Sequence, residues 1–311
     1  MDSTRIIDTA DPDQFVACGR PIADLTVTGR GRFRARIVRL DVEQTWGQRV
    51  RERLACVKQI ELNRGALLFM IDPGPSMFLG GAEIGLDQVA VIPPGNGYNW
   101  RLSGATHWGA ISPVRDDMDW LCGAEAALPA RTLCDVSVFT PSPMALARLR
   151  SVHEYIGRLA ETTPELLKNT ELSLDLEHEL ISAAQELSRA KVSNFKTRGQ
   201  RQHEIIVNRF RAIIETQADE PLDMSRISEG IGVSSRTLRF ACQEQLGISP
   251  FQYVVLRRMR TVHRALQKAD PQSTHVTDIA TEHGFWEFGR FAGKYRQIFG
   301  EVPSATLKSA T

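Results

Sequence analysis

No stretch of this 311-residue sequence stays apolar for long. The longest such runs, Ala66 to Ile71 among them, fall far short of the roughly 20 residues that span a bilayer, so no membrane segment is expected. The first residues, MDSTRIIDTADPDQ, are acidic and hold no apolar stretch, which argues against a secretory signal and for the cytoplasm. Cysteine is scarce: Cys18, Cys56, Cys122, Cys134 and Cys242 form no CxxC and lack histidines at zinc-finger spacing. They read as reduced thiols. Histidine is scarcer still where a metal enzyme would need it. From about Thr26 to Ser112 only His107 occurs, so a three-ligand metal centre is not expected, no cofactor is called for, and no nucleophile and base stand out as a pair. A lone histidine on a strand is the mark of a hydrogen-bonded structural residue.

A large net charge is missing too, since 38 basic side chains oppose 37 acidic ones. The balance is uneven along the chain. From Arg198 onward there are 16 Lys and Arg against 12 Asp and Glu, while the preceding 197 residues carry 22 against 25. A basic C-terminal part beside a mildly acidic N-terminal part fits nucleic-acid binding by one half only. With 42% hydrophobic and 24% charged residues, the composition is that of a soluble protein with room for about two domains.

Four segments are expected: an N-terminal extension over 1–25, a β-rich domain with two following helices over 26–190, a linker over 191–202 and a helical domain over 203–311. In the second segment RFRARIVRL (Arg32 to Leu40) alternates basic and apolar residues, with Phe33, Ala35 and Ile37 on one face of a half-buried strand. GALLFMI, SMFLGGAEI, DQVAVIPPG, GYNWRLSG and THWGAIS follow as further short strands, with Gly80 and Gly81 at a hairpin corner. Many short strands at close spacing imply a sandwich or barrel. From Ser142 the period lengthens: Met144, Leu146, Leu149, Val152, Ile156 and Leu159 mark one helix, and Leu172, Leu176, Leu180, Ala184 and Leu187 a second. These two helices either pack on the β domain or form a dimer seam. KVSNFKTRGQRQ is polar and without period, hence the linker.

The last hundred residues repeat one punctuation. ISEGIGVSSRTLRFACQEQLGISP starts at Ile227 and IATEHGFWEFGRFAGKYRQIFGEVP at Ile279, each with an Ile five residues before a turn glycine (Gly232, Gly284) and a second glycine one helix later (Gly247, Gly300). Each copy predicts a helix-turn-helix. Asp223 and Ser234 are placed to cap the helices of the first, and Thr277 the leading helix of the second. The first recognition helix buries Leu238 and Cys242 and presents Ser235, Arg236 and Arg239. The second, from about Glu287 to Ile298, buries Phe291, Tyr295 and Ile298 and presents Glu287, Arg290 and Lys294. An arginine near the start of such a helix can fork onto O6 and N7 of guanine, so Arg236, Arg239 and Arg290 are the expected base readers. Ser235, Thr237 and Lys294 suit phosphates. Glu287 could accept from a cytosine amine, although a first-turn glutamate more often offsets the helix dipole. Between the units, the helix from about Pro250 to Lys268 carries an apolar stripe, and Arg257, Arg258, Arg260, Arg264 and Lys268 lie off it as a solvated face.

This pattern resembles the DNA-binding domain of the AraC/XylS family of bacterial transcription regulators. The matching residues are Gly232, Ser234, Arg236 and Leu238, then Ile279, Ala280, Gly284, Phe285, Phe291, Tyr295, Phe299, Gly300 and Pro303. The second unit is similar to the branch of ethanolamine-utilisation regulators. Two places where members often carry arginine hold Phe240 and Gly293 here. The resemblance implies an α+β chain whose N-terminal half is a cupin-like barrel that binds a small-molecule effector. It further implies double-stranded promoter DNA, RNA polymerase and a second copy of the chain as partners, an activator rather than an enzyme, and a place on the bacterial nucleoid. Within the barrel Tyr98 and Trp100 share a strand face, and with Trp46 and Trp108 they either line the effector pocket or fill the core. The competing readings are a cupin-type metabolic enzyme with an appended DNA-binding domain and a non-specific architectural DNA binder.

Overall fold

The structure, a computed structural model, describes residues 6–20, 22–113, 136–187, 191–195, 197–216 and 223–309, and of residues 96 and 191–195 it describes the backbone only. The N-terminal domain is built from two facing antiparallel sheets. The larger contains β1 (Ile6–Thr9), β3 (Ala35–Arg39), β4 (Trp46–Glu52), β6 (Ala66–Met70), β9 (Val89–Ile92), β11 (Thr106–Ser112), β12 (Ser137–Thr140) and β13 (Lys191–Phe195), in the order β1-β3-β4-β11-β6-β9-β12-β13. The smaller contains β2 (Ile22–Val27), β5 (Cys56–Leu62), β7 (Met77–Leu79), β8 (Ala82–Ile84) and β10 (Gly95–Leu102), in the order β2-β5-β10-β7-β8. Gly80 and Gly81 join β7 to β8 with φ of 56° and 83°, the pair of left-handed residues that a tight hairpin matched to strand twist requires.

Why some strands alternate and others are wholly apolar follows from what covers them. Ala66, Leu68 and Met70 of β6 point between the sheets, while Leu67 and Phe69 point to the outer face. That outer face is covered by α2 (Pro143–Thr162) and α3 (Thr170–Leu187), through Leu146, Leu149, Ile156, Leu180 and Leu187. Strands buried on both sides therefore read as continuous apolar runs, as β6 and β9 do. Toward β3 and β4 the outer face is less covered, and there arginines alternate with core residues. The two helices thus pack on the sheet.

Two expected boundaries do not hold. Residues 6–20 and 22–25 are no free extension: β1 pairs with β3, α1 (Pro12–Cys18) follows, and Ile7, Phe15, Ile22 and Leu25 are buried in the core between the sheets. These few apolar residues are diluted by acidic neighbours, which hides their role from a composition reading. Nor is 191–202 a linker. Lys191–Phe195 adds to the sheet edge by pairing with β12, and residues 198–202 already belong to α4 (Arg198–Thr216). An edge strand is held by backbone hydrogen bonds, so a polar sequence can form one. Among the described residues no helix is long and apolar enough to cross a membrane.

Within this domain His153 of α2 is 1% exposed, stacks edge-on against Phe69, and donates from Nε2 to the Gln48 carbonyl at 3.2 Å. Burial, reinforced by the nearby Arg49 charge, pushes its pKa from 6.5 down to about 3. In the unfolded chain the ring takes a proton near 6.5; in the folded chain it stays neutral until about pH 3. Protons therefore favour unfolding across that window, and stability present above about pH 6.5 is lost as pH falls, on the order of 5 kcal/mol from this group. Urea denaturation against pH should give a flatter acid limb for His153→Gln, which keeps an N–H donor but cannot titrate. Equal slopes for the two proteins would rule this out.

Candidate nucleic-acid interface

The C-terminal domain folds around two cores. The first joins Ile206, Val207 and Phe210 of α4 to Ile227, Leu238, Cys242 and Tyr253; the second joins Met259, Val262 and Leu266 to Ile279, Phe291, Tyr295 and Ile298. In the first unit α5 (Met224–Ile231) is capped by Asp223, which accepts from Ser225 N at 2.8 Å. Gly232 turns the chain at φ 81°, and Ser234 caps α6 (Ser235–Leu246) by accepting from Thr237 N at 3.1 Å. Leu238, Ala241 and Cys242 face inward, which leaves Ser235, Arg236, Arg239 and Phe240 exposed. Thr237 is half-buried and bonds Ser234 Oγ at 2.8 Å.

The second unit departs from expectation at its start. Thr277 lies inside α8 (Val276–Glu282), whose N-cap is His275 and has no side-chain cap bond. The hydroxyl of Thr277 is 3.4 Å from Asp278 instead, too far along the first turn to serve the free amides. Gly284 turns at φ 78°, and α9 (Phe288–Phe299) begins one residue later than expected, with Glu287 as its N-cap residue. Arg290 donates to Glu287 at 2.7 Å, both exposed, and Lys294 is exposed further along. Trp286, which the sequence reading left aside, stands 73% exposed just before α9, with Phe288 partly exposed beside it. An aromatic exactly where the α9 approach faces solvent is the signal that could have singled it out.

α7 (Pro250–Lys268) holds the units apart. Ser249 and Gln252 form a capping box at its start, and its 19 residues span about 28 Å. Its arginines are not a solvated face. Arg257 reaches Asp24 at 2.5 Å, Arg260 binds Asp24 at 2.9 Å and also Asp13, and Arg264 binds Asp13. Burial alone would raise the Asp13 pKa, but hydrogen bonds from Arg264 and Arg260 outweigh it and hold it at about 2. The linker helix is thereby fastened to α1 and β2 of the N-terminal domain, a partnership over more than 230 residues that no local pattern announces.

The N-terminal domain also meets both recognition helices at their C-terminal ends. Gly247, the left-handed stop of α6, leaves no room for a Cβ because Arg101 lies against it, and Gln200 of α4 donates to Gly81 in the β7–β8 hairpin. Gly300, the stop of α9, packs on Arg32, which pairs with Glu301 at 3.2 Å, while Gly31 N approaches the last carbonyls of α9. Cations at helix C-termini complement the helix dipole. The opposite ends, with Arg236 and Arg290, are exposed and meet no part of the N-terminal domain among the described residues. Asn208 of α4 completes the contact by donating to the Gly97 carbonyl at 2.9 Å.

The aromatic residues considered for an effector sit apart from this surface. Trp100 and Trp108 are fully buried between the sheets with ring centroids 4.5 Å apart, and Trp46 is buried in the same core. Tyr98 is half-buried, its hydroxyl 3.4 Å from the Pro94 carbonyl. His107 bonds Asp72 at 2.7 Å, the structural part expected of it.

A family profile described as a helix-turn-helix domain matches residues 227–309, which contain both units. The chain is similar to a probable thc operon regulatory protein of Rhodococcus erythropolis, 40% identical over 96 residues that make up 31% of this chain and 29% of that protein. It is also similar to XylDLEGF operon transcriptional activator 2 of Pseudomonas putida, 29% identical over 136 residues, covering 44% of this chain and 87% of that one. Among solved structures, a probable AraC family transcriptional regulator from Rhodopseudomonas palustris aligns at 34% identity over 34% of this chain and 96% of its own, with a TM-score of 0.32. Several relatives are matched over only about 30% of their length. The C-terminal domain is thus a helix-turn-helix domain, and over part of its length the chain is similar to bacterial transcriptional regulators.

Proposed function

We propose that the chain is a sequence-specific DNA-binding regulator, an activator controlled by a small-molecule effector held in its N-terminal domain. One observation carries this reading above the rest. Both recognition helices are fixed at their C-terminal ends and free at their N-terminal ends, where Arg236, Arg239 and Arg290 are exposed. Two adjacent major-groove segments would each receive one helix, since a strut of about 28 Å approaches the roughly 34 Å of one duplex turn. Arg236, Arg239 and Arg290 read base edges, Ser235, Thr237 and Lys294 hold phosphates, and Glu287 orients Arg290. Trp286 and Phe288 suit thymine methyls or sugar faces at the edge of the second segment.

The N-terminal domain then acts as the sensor rather than as an enzyme. The Asp13 and Asp24 clamp on α7 gives it a direct hold on the spacing of the two units. The chain works as a homodimer in the bacterial cytoplasm, on nucleoid DNA, and engages RNA polymerase at the promoter. The test uses full-length protein and a duplex recovered from a random-sequence pool by repeated binding and amplification. At about physiological salt that duplex should bind about a thousandfold more tightly, or better, than a scrambled version. Equal affinities, with the same steep salt dependence, would leave only a non-specific binder.

A further inference from the structure

At the β3–β4 end of the larger sheet, four arginines stand on the outer face with few acids to balance them. Arg36 of β3 lies directly opposite Arg51 of β4, and one step further the Arg53 amide bonds the Arg34 carbonyl at 3.1 Å, bringing those two residues together as well. Strand alternation sends all four side chains to the same face. Like charges directly opposite on a strand pair are destabilising, and here two such pairs are adjacent. Arg36 is compensated by Asp8 at 3.0 Å and Glu161 at 3.1 Å, and Arg51 by Asp72 at 3.9 Å. Arg34 and Arg53 are exposed and have no acidic partner among the described residues. They do not stand on a flat surface. The chain from Asp8 to Ala10 walls them in, leaving a groove of about 500 Å³ lined also by Thr9 and Ala35.

We propose that this groove binds a small organic polyanion, a molecule with two or more carboxylate or phosphate groups, with Arg34 and Arg53 as its principal contacts and Arg36 and Arg51 at its flanks. The planar guanidinium fork matches either group through paired, charge-assisted hydrogen bonds. Two uncompensated cations call for at least two negative charges, and the volume lies in the range of small-molecule sites. An apolar ligand finds little here, because Ala10 and Ala35 are the only aliphatic side chains in the lining. Duplex DNA is a poor occupant as well. The domain that carries the groove covers the C-terminal ends of α6 and α9, whereas the free N-terminal ends carry Arg236 and Arg290.

The groove wall leads straight to the interdomain clamp. Asp8 holds Arg36, Thr9 bonds Gln14 at 2.5 Å, Asp11 caps α1, and Asp13 in the first turn of α1 grips Arg260 and Arg264. An anion that competes with Asp8 for Arg36 acts at one end of a six-residue segment whose other end fastens α7. The site thus names the effector class of the regulator proposed above. That consequence rests on the regulator reading; the binding itself does not.

Isothermal titration of the full-length chain at low ionic strength, with citrate in one series and inorganic pyrophosphate in another, tests the site and separates carboxylate from phosphate. Saturable binding of one equivalent of at least one probe is expected, weakened about tenfold or more by Arg34→Ala with Arg53→Ala. Arg34→Lys with Arg53→Lys should restore part of it. Without a probe, the double alanine variant should melt no lower than the parent chain, because it relieves repulsion. Absence of saturable binding by either probe, or unchanged binding by the double alanine variant, overturns the proposal and leaves the arginines as a solvated edge. Binding of the selected duplex is measured alongside: its loss with anion binding intact would count against the regulator reading alone.

Discussion

Glu52→Gln is expected to lower the stability of the N-terminal domain by about 3–5 kcal/mol, the cost of leaving a buried charge without its partner. Glu52 ends β4 in the larger sheet and Lys58 lies on β5 in the smaller, and both side chains are 0% exposed. They form an ion pair across the core between the sheets. The carboxylate also accepts from Trp108 Nε1 at 2.8 Å and from the Cys56 thiol at 3.5 Å, so its lone pairs are well used. The ammonium sits 4.1 Å from the Trp100 ring centroid and 4.9 Å from that of Trp108, an arrangement worth up to about 2 kcal/mol when water is excluded. Glutamine keeps the volume and an acceptor for Trp108, so the loss isolates the charge. Lys58→Met should be similarly damaging, because it strands the carboxylate. The double variant Glu52→Gln with Lys58→Met should recover much of the loss, since replacing both charges removes two desolvation penalties. Urea denaturation of the four proteins closes the cycle. A single variant within about 1 kcal/mol of the parent would mean that the buried pair contributes little to the fold.

Neither residue of that pair could be singled out from the sequence, and the reason is general to what was hidden. Lys58 in CVKQIEL looks like an ordinary outward strand position until a second sheet is laid over it. The helix-turn-helix units were legible because their signals are local. Asp223, Ser234, Gly232, Gly247, Gly284 and Gly300 each act on backbone within a few residues, and all six do in the structure what the sequence predicts. Thr277 misled because a threonine two residues past the cap position looks the same in sequence as a cap. The strands were legible where one face is wet, as in RFRARIVRL, and also where both faces are covered, as in GALLFMI. Long-range pairing was not. Asp13 and Asp24 hold three arginines of α7, and a reading confined to one helix assigns those arginines to solvent. The same limit turned β13 into a linker, since its partner β12 lies some 50 residues earlier. The exposed Trp286 and the arginine groove were visible as residues but not as surfaces.

Arg236→Ala and Arg290→Ala should each relax base preference in a different half of the DNA site, at a cost of about 1–3 kcal/mol on the preferred duplex, or roughly ten- to hundredfold in affinity. The two substitutions start from unequal situations. Arg236 follows the cap Ser234 by two residues on α6 and is exposed, with no ion pair among the described residues and with Arg239 one turn further on. Its loss can be partly covered by that neighbour. Arg290 has no arginine one turn further on, because the position three residues on is Gly293, and it begins paired to Glu287. The Arg290 substitution should therefore flatten its half of the site more completely. Glu287→Ala should act in the same direction but more weakly, by freeing Arg290 from one orientation while leaving its charge. Lys294→Ala serves as the contrast: a phosphate contact weakens all duplexes alike and reduces the salt slope by about one unit. Binding of each variant to a set of single-base substitutions across the selected duplex separates these outcomes. Uniform weakening by Arg236→Ala or Arg290→Ala, with the base profile unchanged, would move that arginine from reading bases to holding phosphates. Such a result at Arg290 would leave α9 to read through Trp286 and Phe288, and so by shape and methyl contact rather than by hydrogen bonds.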